Sequence, residues 1–222
     1  MQTVPLEPDT AAQFPSHELW PPALQRMAQR GQIGRRKRGS ILIEEGEPGG
    51  SLYFVVEGLL RAFTARPDGQ EFTFGFCGAG EILGEVSLDG GNRSANVTVE
   101  EAVVYRWVTR PLIEQCIAEE PALAFELLGL VTRRARHLSV RARDLALNDA
   151  YGRLVLLLRA GSRPHDAGSL CMAYPLTQEQ LAQQIGCGRP MVSKLLGDLV
   201  KGGYLRNENR LWVTCKPLPA RW

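Results

Sequence analysis

The chain has 222 residues, of which 44% are hydrophobic and 23% are charged, and its formal net charge is +2. This composition is typical of a soluble globular protein of one or two domains, and so small a net charge does not by itself indicate a nucleic-acid partner. No apolar run is long enough to span a bilayer, and no basic leader precedes an apolar block at the N-terminus. The sequence therefore predicts neither a membrane segment nor a signal peptide.

Cysteine and histidine are scattered along the chain. The five cysteines are at positions 77, 116, 171, 187 and 215, and the three histidines are at positions 17, 137 and 165. An odd number of cysteines favours free thiols in a reducing, cytoplasmic environment over a disulfide framework. No cysteine pair has C-x-x-C spacing and no histidines have ligand spacing, so no metal site is expected.

The N-terminal part begins with a Pro-, Asp- and Thr-rich stretch over residues 1–16, which predicts a loose lead-in. A short helix is predicted over residues 18–32, with Leu19, Leu24 and Met27 facing inward. The basic run at residues 35–38 is interpreted as a solvated surface cluster in front of a strand.

From residue 39 to about residue 108, the period of the apolar residues changes from 3.6 to 2. Glycine-rich turns separate the segments, and the strongest β-forming run is expected to end at Gly58. Pro67-Asp68-Gly69 predicts a hairpin turn. The predicted strands cover residues 41–43, 52–56, 59–64, 72–76, 96–98 and 103–108. Short strands interrupted this often are typical of an all-β jelly roll.

A segment of different character, residues 80–95, interrupts these strands. Gly84 and Glu85 are predicted to open a short helix, and Arg93-Ser94 follow a glycine-rich loop. Backbone N–H groups at a helix start, an arginine and a serine hydroxyl together suit a phosphate, and the carboxylate suits sugar hydroxyls. The segment therefore predicts a sugar-phosphate site. A loop with a surface ion pair is the alternative that the motif leaves open.

A long helix is predicted from Pro121 to about Leu147. Apolar residues recur along it at steps of four and three, which is the heptad spacing of a coiled-coil contact between two copies. This seam comprises Ala124, Leu128, Val131, Ala135, Leu138, Ala142 and Leu145. Arginines at positions 133, 134, 136, 141 and 143 flank the seam, as expected of a helix exposed elsewhere. The alternative is that the stripe packs on the β domain of its own chain.

Two further helices joined by a tight turn are predicted over residues 177–200. Thr177 and Gln180 form a capping-box pattern, and the Gly-Cys-Gly turn at residues 186–188 ends the first helix. Pro190 starts the second helix, because proline is favoured in a first turn. This arrangement predicts a helix-turn-helix, whose second helix lies in the major groove of DNA.

The second helix of the pair exposes Arg189, Ser193 and Lys194, with no acidic residue before Asp198. Arginine and lysine near the start of such a helix can bond guanine edges or phosphates. An ordinary helical hairpin would explain the apolar residues but not this basic surface. Near the C-terminus, apolar residues alternate around residues 206–210 and predict a β-hairpin wing.

In this order, the motifs resemble those of the cyclic-AMP receptor protein and FNR family of bacterial transcription regulators. The resemblance covers roughly residues 35–213. It rests on L-Y-F-V-V-E-G (residues 52–58), G-E-I-L-G-E with R-S-A (80–95), the long helix, and L-T-Q-E-Q-L-A-Q-Q-I-G-C-G-R-P-M-V-S-K-L-L (176–196). It implies an α+β fold with an N-terminal jelly-roll β domain (18–120), a dimerisation helix (121–147) and a C-terminal winged helix-turn-helix (148–222).

The resemblance also implies an effector site. In it, the glutamate would hold a ribose hydroxyl and the Arg-Ser pair a cyclic phosphate, so cyclic AMP or another cyclic nucleotide is the implied effector, with no metal. Where the receptor contacts adenine with a Thr-Ser pair, this chain has Leu138-Ser139, so one hydroxyl is missing. The implied site comprises Gly84, Glu85, Arg93, Ser94 and Ser139.

On the DNA-binding side, the resemblance implies that Thr177 contacts a phosphate and that Arg189 and Lys194 contact bases, with Ser193 on the same face. Pro190 replaces a glutamate of the receptor and cannot accept a hydrogen bond from cytosine, so a different operator is expected. The implied partners are double-stranded DNA with a palindromic operator, a second copy of the chain and RNA polymerase, and no membrane.

Two other functions remain open at this point. One is a regulator that binds no nucleotide, either because it is ligand-independent or because it senses redox state or gas through haem or thiols. The other is an enzyme, but no Ser/His/Asp, Cys/His or paired-carboxylate arrangement emerges from the sequence. No catalytic activity is therefore expected.

Overall fold

The computed structural model describes residues 20–165, 169–172 and 175–219, so the predicted lead-in at residues 1–16 lies outside the described residues. The chain divides into two compact units. Among the described residues, the first comprises residues 20–68 and Phe74–Arg136, and the second comprises Gly69–Thr73 and the described residues from 137 to 219. Within the described ranges, no helix has both the length and the apolarity that crossing a membrane requires.

A six-stranded β-sheet forms most of the first unit. Its strands are β1 Gln32–Arg36, β2 Ile41–Ile43, β3 Ser51–Ala65, β4 Glu71–Cys77, β5 Ile82–Leu83 and β6 Asn96–Thr109. The long strand β6 pairs antiparallel with β1, β2 and β3, and β5 pairs with β3. Apolar side chains from these strands, including Val55, Leu60 and Val99, fill the interior of the roll. The jelly-roll prediction is confirmed.

Two strands are longer than the sequence predicts, and β1 and β5 are not predicted at all. Arg35 and Arg36, interpreted as part of a surface cluster in front of a strand, lie within β1. β3 continues through Gly58 instead of ending there, and β6 joins the segments 96–98 and 103–108 into one strand. Gly58 has a left-handed φ of 93°, and register shifts surround it, so the strand passes through a β-bulge. A Cβ at this position would collide with the backbone of Ala102 and Val103 on β6, which only glycine avoids.

Helices cover one side of the sheet in the first unit. They are α1 Pro22–Arg30, α2 Arg110–Glu119 and the first part of α3 Ala122–Leu147. Leu24 and Met27 of α1 are buried, as predicted, and Leu19 lies outside the described residues. Trp20 packs edge-on against Phe54 of β3, with ring centroids 5.3 Å apart. This second apolar cluster packs the helices against strands β3, β5 and β6.

The second unit combines helices with a four-stranded sheet of order β7-β8-β10-β9. Its elements after α3 are α4 Ala150–Ala160, β7 Ser162–Pro164, β8 Leu170–Met172, α5 Gln178–Ile185, α6 Arg189–Lys201, β9 Leu205–Glu208 and β10 Leu211–Thr214. The Asp149 carboxylate caps α4 by accepting a hydrogen bond from Gly152 N at 2.8 Å. The sequence predicts a loop at residues 162–169, which is wrong for β7, because pairing with β8 makes that segment a strand.

The apolar stripe predicted on α3 is exposed. Leu128 is 59% exposed, Leu138 44% and Leu145 40%. The buried residues of the helix, Leu123 and Leu127, pack into the core of the first unit. The described residues of the chain therefore leave the stripe uncovered.

Candidate DNA-binding and effector sites

The helix-turn-helix predicted from the sequence is present as α5 and α6. Its capping box is complete, because Thr177 Oγ1 accepts from Gln180 N at 3.1 Å and Gln180 Oε1 accepts from Thr177 N at 2.9 Å. Gly186 ends α5 in a left-handed conformation with a φ of 65°. Pro190 lies in the first turn of α6. Each local signal for this motif is therefore confirmed.

The second helix of the motif, α6, has one buried and one exposed face. The buried face consists of Val192, Leu195, Leu196 and Leu199. Arg189, Ser193 and Lys194 are exposed, as predicted. In the part of the chain that the structure describes, neither basic residue forms an ion pair. Both cations are thus available to a polyanion.

The wing is the β-hairpin of β9 and β10. Its two-residue turn, Asn209-Arg210, has positive φ at both positions (49° and 70°), as in a type I′ turn. Arg206 pairs with Glu208 at 2.7 Å, so its charge is compensated within the wing. A cleft of about 210 Å³ lies between the start of α5 and this hairpin. Thr177, Gln178, Asn207 and Arg210 are among the residues that line the cleft.

The predicted phosphate site is built around Gly84, which precedes a 3-10 helix at Glu85–Ser87. Gly84 has a left-handed φ of 91°. A Cβ at this position would collide with the Ser51 carbonyl oxygen and would lie 2.5 Å from Arg93 Nη1. Glycine is therefore required both by the backbone conformation and by the close approach of the arginine.

Arg93 is 7% exposed, and the surrounding backbone and hydroxyl groups hold its guanidinium in place. Its Nη1 donates to Ser51 O at 3.0 Å, to Gly84 O at 3.2 Å and to Ser87 Oγ at 2.9 Å. Its Nη2 donates to Ser51 Oγ at 2.8 Å. All of these acceptors are neutral, and no carboxylate among the described residues bonds to Arg93. The cation is oriented but its charge is not neutralised.

Glu85 is 4% exposed and lies near the start of the same loop. Its Oε1 accepts a hydrogen bond from Arg134 Nε on α3 at 2.7 Å. Burial acts to lower the pKa of Arg134, but the charge and the hydrogen bond of Glu85 outweigh it and raise that pKa. Arg134 therefore stays charged, and its bond to Glu85 connects the loop to the long helix.

The other predicted effector residues have no such enclosure. Ser94 directly follows Arg93 but is exposed, and Ser139 is exposed on α3 within the second unit.

The thiol of Cys77 lies in the interior of the roll. Cys77 is 5% exposed, and burial raises the pKa of its thiol to about 12 although Arg134 acts in the opposite direction. This thiol stays protonated near neutral pH.

Sequence reasoning missed three residues of the effector region: Ser51, Ser87 and Arg134. The sequence predicts Arg134 to be one of several exposed arginines flanking the seam, and no local pattern distinguishes it from its neighbours. Ser87 lies two residues after Glu85, and its position inside the motif is the one signal in the sequence that points to it.

A second arginine of α3 also differs from the prediction. Arg141, expected to be exposed, is half-buried and donates a hydrogen bond to Gln184 O at 3.0 Å, and burial lowers its pKa.

Two family models match the chain. The model of the cyclic nucleotide-binding domain matches residues 35–120, and the model of the Crp-like helix-turn-helix domain matches residues 152–217. The first match contains Glu85 and Arg93, and the second contains α5, α6 and the wing.

Curated relatives and solved structures agree with these models. A CRP-like cAMP-activated global transcriptional regulator of Mycobacterium tuberculosis is 32% identical over 177 residues, which covers 78% of this chain and 79% of that protein. The cyclic AMP receptor protein of Thermus thermophilus is 31% identical over 174 residues, covering 76% and 77%. The c-di-GMP responsive regulator CLP of Xanthomonas campestris has the same fold, with a TM-score of 0.76 at 20% identity over 88% of this chain and 99% of that chain. This chain belongs to the CRP/FNR family of DNA-binding transcription regulators.

Proposed function

We propose that this regulator acts as a homodimer on a palindromic operator and is switched by a small phosphate-containing effector bound at Glu85, Arg93 and Ser94. A cyclic nucleotide fits the site best. In this proposal, Arg189, Ser193 and Lys194 contact the bases, and Thr177 contacts a phosphate of the DNA backbone.

The observation that carries the effector proposal is the state of Arg93. A buried cation is costly unless an anion compensates it, and here all the acceptors are neutral oxygen atoms. A phosphate supplies the missing negative charge and accepts charge-assisted hydrogen bonds from a guanidinium that is already oriented. The site thus favours an anionic ligand over a neutral one.

Glu85 adds an acceptor for a sugar hydroxyl to the same site and connects the site to the long helix α3. A carboxylate accepts hydrogen bonds at two oxygen atoms, so a sugar hydroxyl can bond to it beside Arg134 or in place of Arg134. Because Arg134 belongs to α3, a ligand that changes this ion pair acts directly on the long helix. An effector that binds one arrangement of α3 more tightly than another shifts the population toward it.

The exposed stripe on α3 supports the homodimer. Large apolar side chains at heptad spacing, 40–59% exposed in Leu128, Leu138 and Leu145, are typical of a helix that pairs with a second copy. A two-fold dimer presents two copies of α6, and a palindromic operator requires them about 34 Å apart to enter successive major grooves. A change in α3 can therefore alter DNA affinity by changing this spacing.

The choice of ligand for a test follows from the relatives. The M. tuberculosis and T. thermophilus proteins are described as cAMP-activated and as a cyclic AMP receptor, and CLP as c-di-GMP responsive. We expect isothermal titration calorimetry to detect binding of cyclic AMP, cyclic GMP or cyclic di-GMP to the wild-type protein. Because Arg93 supplies the charge-assisted bonds, Arg93→Gln should weaken that binding by about 100-fold or more. Arg66→Gln, on the exposed turn beside Asp68, is the matched control.

A second candidate function, a regulator that needs no nucleotide, is favoured by a specific observation. Both charged groups of the site already have protein partners, Glu85 in its ion pair and Arg93 in its four hydrogen bonds. If this network is purely structural, none of the three nucleotides will produce heat, and DNA binding will be the same with and without them. An absorbance spectrum of the purified protein tests a haem sensor separately, and the protonated thiol of Cys77 argues against thiol sensing at that residue.

A further inference from the structure

Gly197 occupies the interior of the DNA-contacting helix, where glycine is unfavourable. It is the ninth of the 13 residues of α6. Glycine forms helices more poorly than every residue except proline, because its backbone loses the most conformational freedom on folding. Its presence in the middle of a helix therefore needs a physical reason.

The described part of the fold supplies no such reason. No heavy atom lies within 4 Å of a Cβ built on Gly197, leaving aside the neighbouring backbone of α6 itself. Its φ is not left-handed, and the helix continues for four more residues to Lys201, with Gly202 as the C-cap. By contrast, at Gly84 a Cβ would collide with other parts of the protein. Gly197 is the kind of glycine that internal packing does not explain.

The position of Gly197 on the helix indicates what it faces. Residues three and four apart share a helix face, and Gly197 follows Lys194 by three residues and Ser193 by four. Both of those residues are exposed, on the side opposite the buried Val192 and Leu196. Gly197 therefore extends the basic surface of α6 by one turn with a residue that has no side chain.

We propose that Gly197 is the close-approach position of α6, where the missing side chain lets the helix backbone lie against the sugar–phosphate wall of the major groove. A helix with its side chains is about 10–12 Å in diameter, and the major groove is about 12 Å wide. With so little clearance, a side chain at position 197, where the helix backbone meets the groove wall, would push the helix outward. Arg189 and Lys194 would then lose contact with the base edges. This inference rests on the proposed role of α6 in binding DNA.

The experiment compares Gly197→Ala and Gly197→Leu with the wild-type protein. DNA affinity is measured by fluorescence anisotropy on a duplex that the wild-type protein selects from a randomised pool in the presence of cyclic AMP, and stability is measured by urea unfolding. We expect the alanine variant to unfold at a higher urea concentration than wild type, yet to bind DNA about 10-fold more weakly, with a larger loss for leucine. Gly129→Ala makes the same exchange inside α3, outside the helix-turn-helix, and should leave DNA affinity within about 2-fold.

Each other outcome is decisive. DNA affinities of both Gly197 variants equal to wild type would overturn the close-approach role, as would a Gly197→Ala variant that unfolds more easily than wild type. Arg189→Ala separates this failure from failure of the proposed function. If Arg189→Ala weakens DNA binding while the Gly197 variants do not, only the close-approach role is wrong. If Arg189→Ala has no effect either, α6 is not the helix that contacts the bases.

Discussion

The effector region of the β-roll and the exposed face of α6 both contain arginine, but the guanidinium is buried in the first and exposed to solvent in the second. Arg93 is 7% exposed and bonded to four neutral acceptor positions, and Glu85 beside it is 4% exposed and ion-paired. Arg189 and Lys194 are exposed, and neither forms an ion pair with the described residues. One region has its charges enclosed and oriented in advance, while the other leaves them in water.

This difference matches two kinds of phosphate ligand. An enclosed arginine has already lost its hydration, so it binds a small anion strongly and in a defined orientation. Exposed cations keep their hydration and are screened by salt, which suits a long polyanion whose bound counterions are released on binding. The same side chain can therefore serve a switch in one unit and DNA affinity in the other.

The largest effect is expected on the enclosed side, from removing one member of the buried ion pair. Glu85→Gln leaves Arg134 without its counter-charge and should lower the free energy of unfolding by about 3 kcal/mol. Urea denaturation measures this loss. The double variant Glu85→Gln/Arg134→Gln should lose less than the sum of the two single variants. Strict additivity of the two single losses would show that the two charges are not coupled, and the description of the effector region as a site of paired, buried charges would be wrong.

The next largest effect is expected on DNA affinity, from substitutions of the exposed basic residues of α6. Arg189→Ala should weaken operator binding by about 1–3 kcal/mol, because the proposed contact to a base edge would be lost. Lys194→Ala separates a base contact from a phosphate contact, since losing a phosphate contact also reduces the slope of log affinity against log salt by about 1. Anisotropy titrations over a range of salt concentrations measure both quantities. A loss of the same size in Arg66→Ala, far from the helix-turn-helix in sequence, would mean that net charge alone controls affinity.

A smaller effect tests whether the interior of the roll excludes uncompensated charge. The pKa of Cys77 is raised to about 12, whereas an unfolded cysteine titrates near about 8.5. Above the lower value, the unfolded chain loses a proton that the folded chain retains, so this contribution to stability is lost as pH rises toward the higher value. Between pH 9 and 11, wild type should lose about 1.4 kcal/mol per pH unit more than Cys77→Ala. The exposed Cys215, changed to alanine, should leave the wild-type slope intact.

The smallest effect concerns the cap that orients the start of α5. Thr177→Ala removes the acceptor for Gln180 N and should lower stability by about 1 kcal/mol. Thr177→Ser keeps the hydroxyl and should behave as wild type in thermal unfolding. A serine variant as unstable as the alanine variant would show that the threonine methyl group, and not the capping hydrogen bond, carries the effect.

The DNA-binding motif was predictable almost residue by residue, because its signals are local. The capping pair Thr177 and Gln180, the left-handed Gly186 and the first-turn Pro190 act on their own backbone, so the sequence states their roles directly. Strands β2, β3, β4 and β6 of the roll were predicted, the two long ones with wrong ends, whereas β1 and β5 were not predicted. Gly58, expected to end a strand, instead lies in a bulge of β3, because pairing with β6 continues on both sides of it.

The sequence by itself determined the strand-rich pattern of the β domain, the long striped helix and the helix-turn-helix, because these follow from periodicity and from capping residues close together in the chain. It also placed Gly84, Glu85 and Arg93 in one segment between two strands. Only the tertiary structure decided which arginine of α3 pairs with Glu85, and that Ser51 and Ser87 hold Arg93. These partners are separated by 6 to 49 positions along the chain. The physical reason is that burial and ion pairing depend on which surfaces meet after folding, and the local periodicity of the chain does not show which distant surfaces will meet.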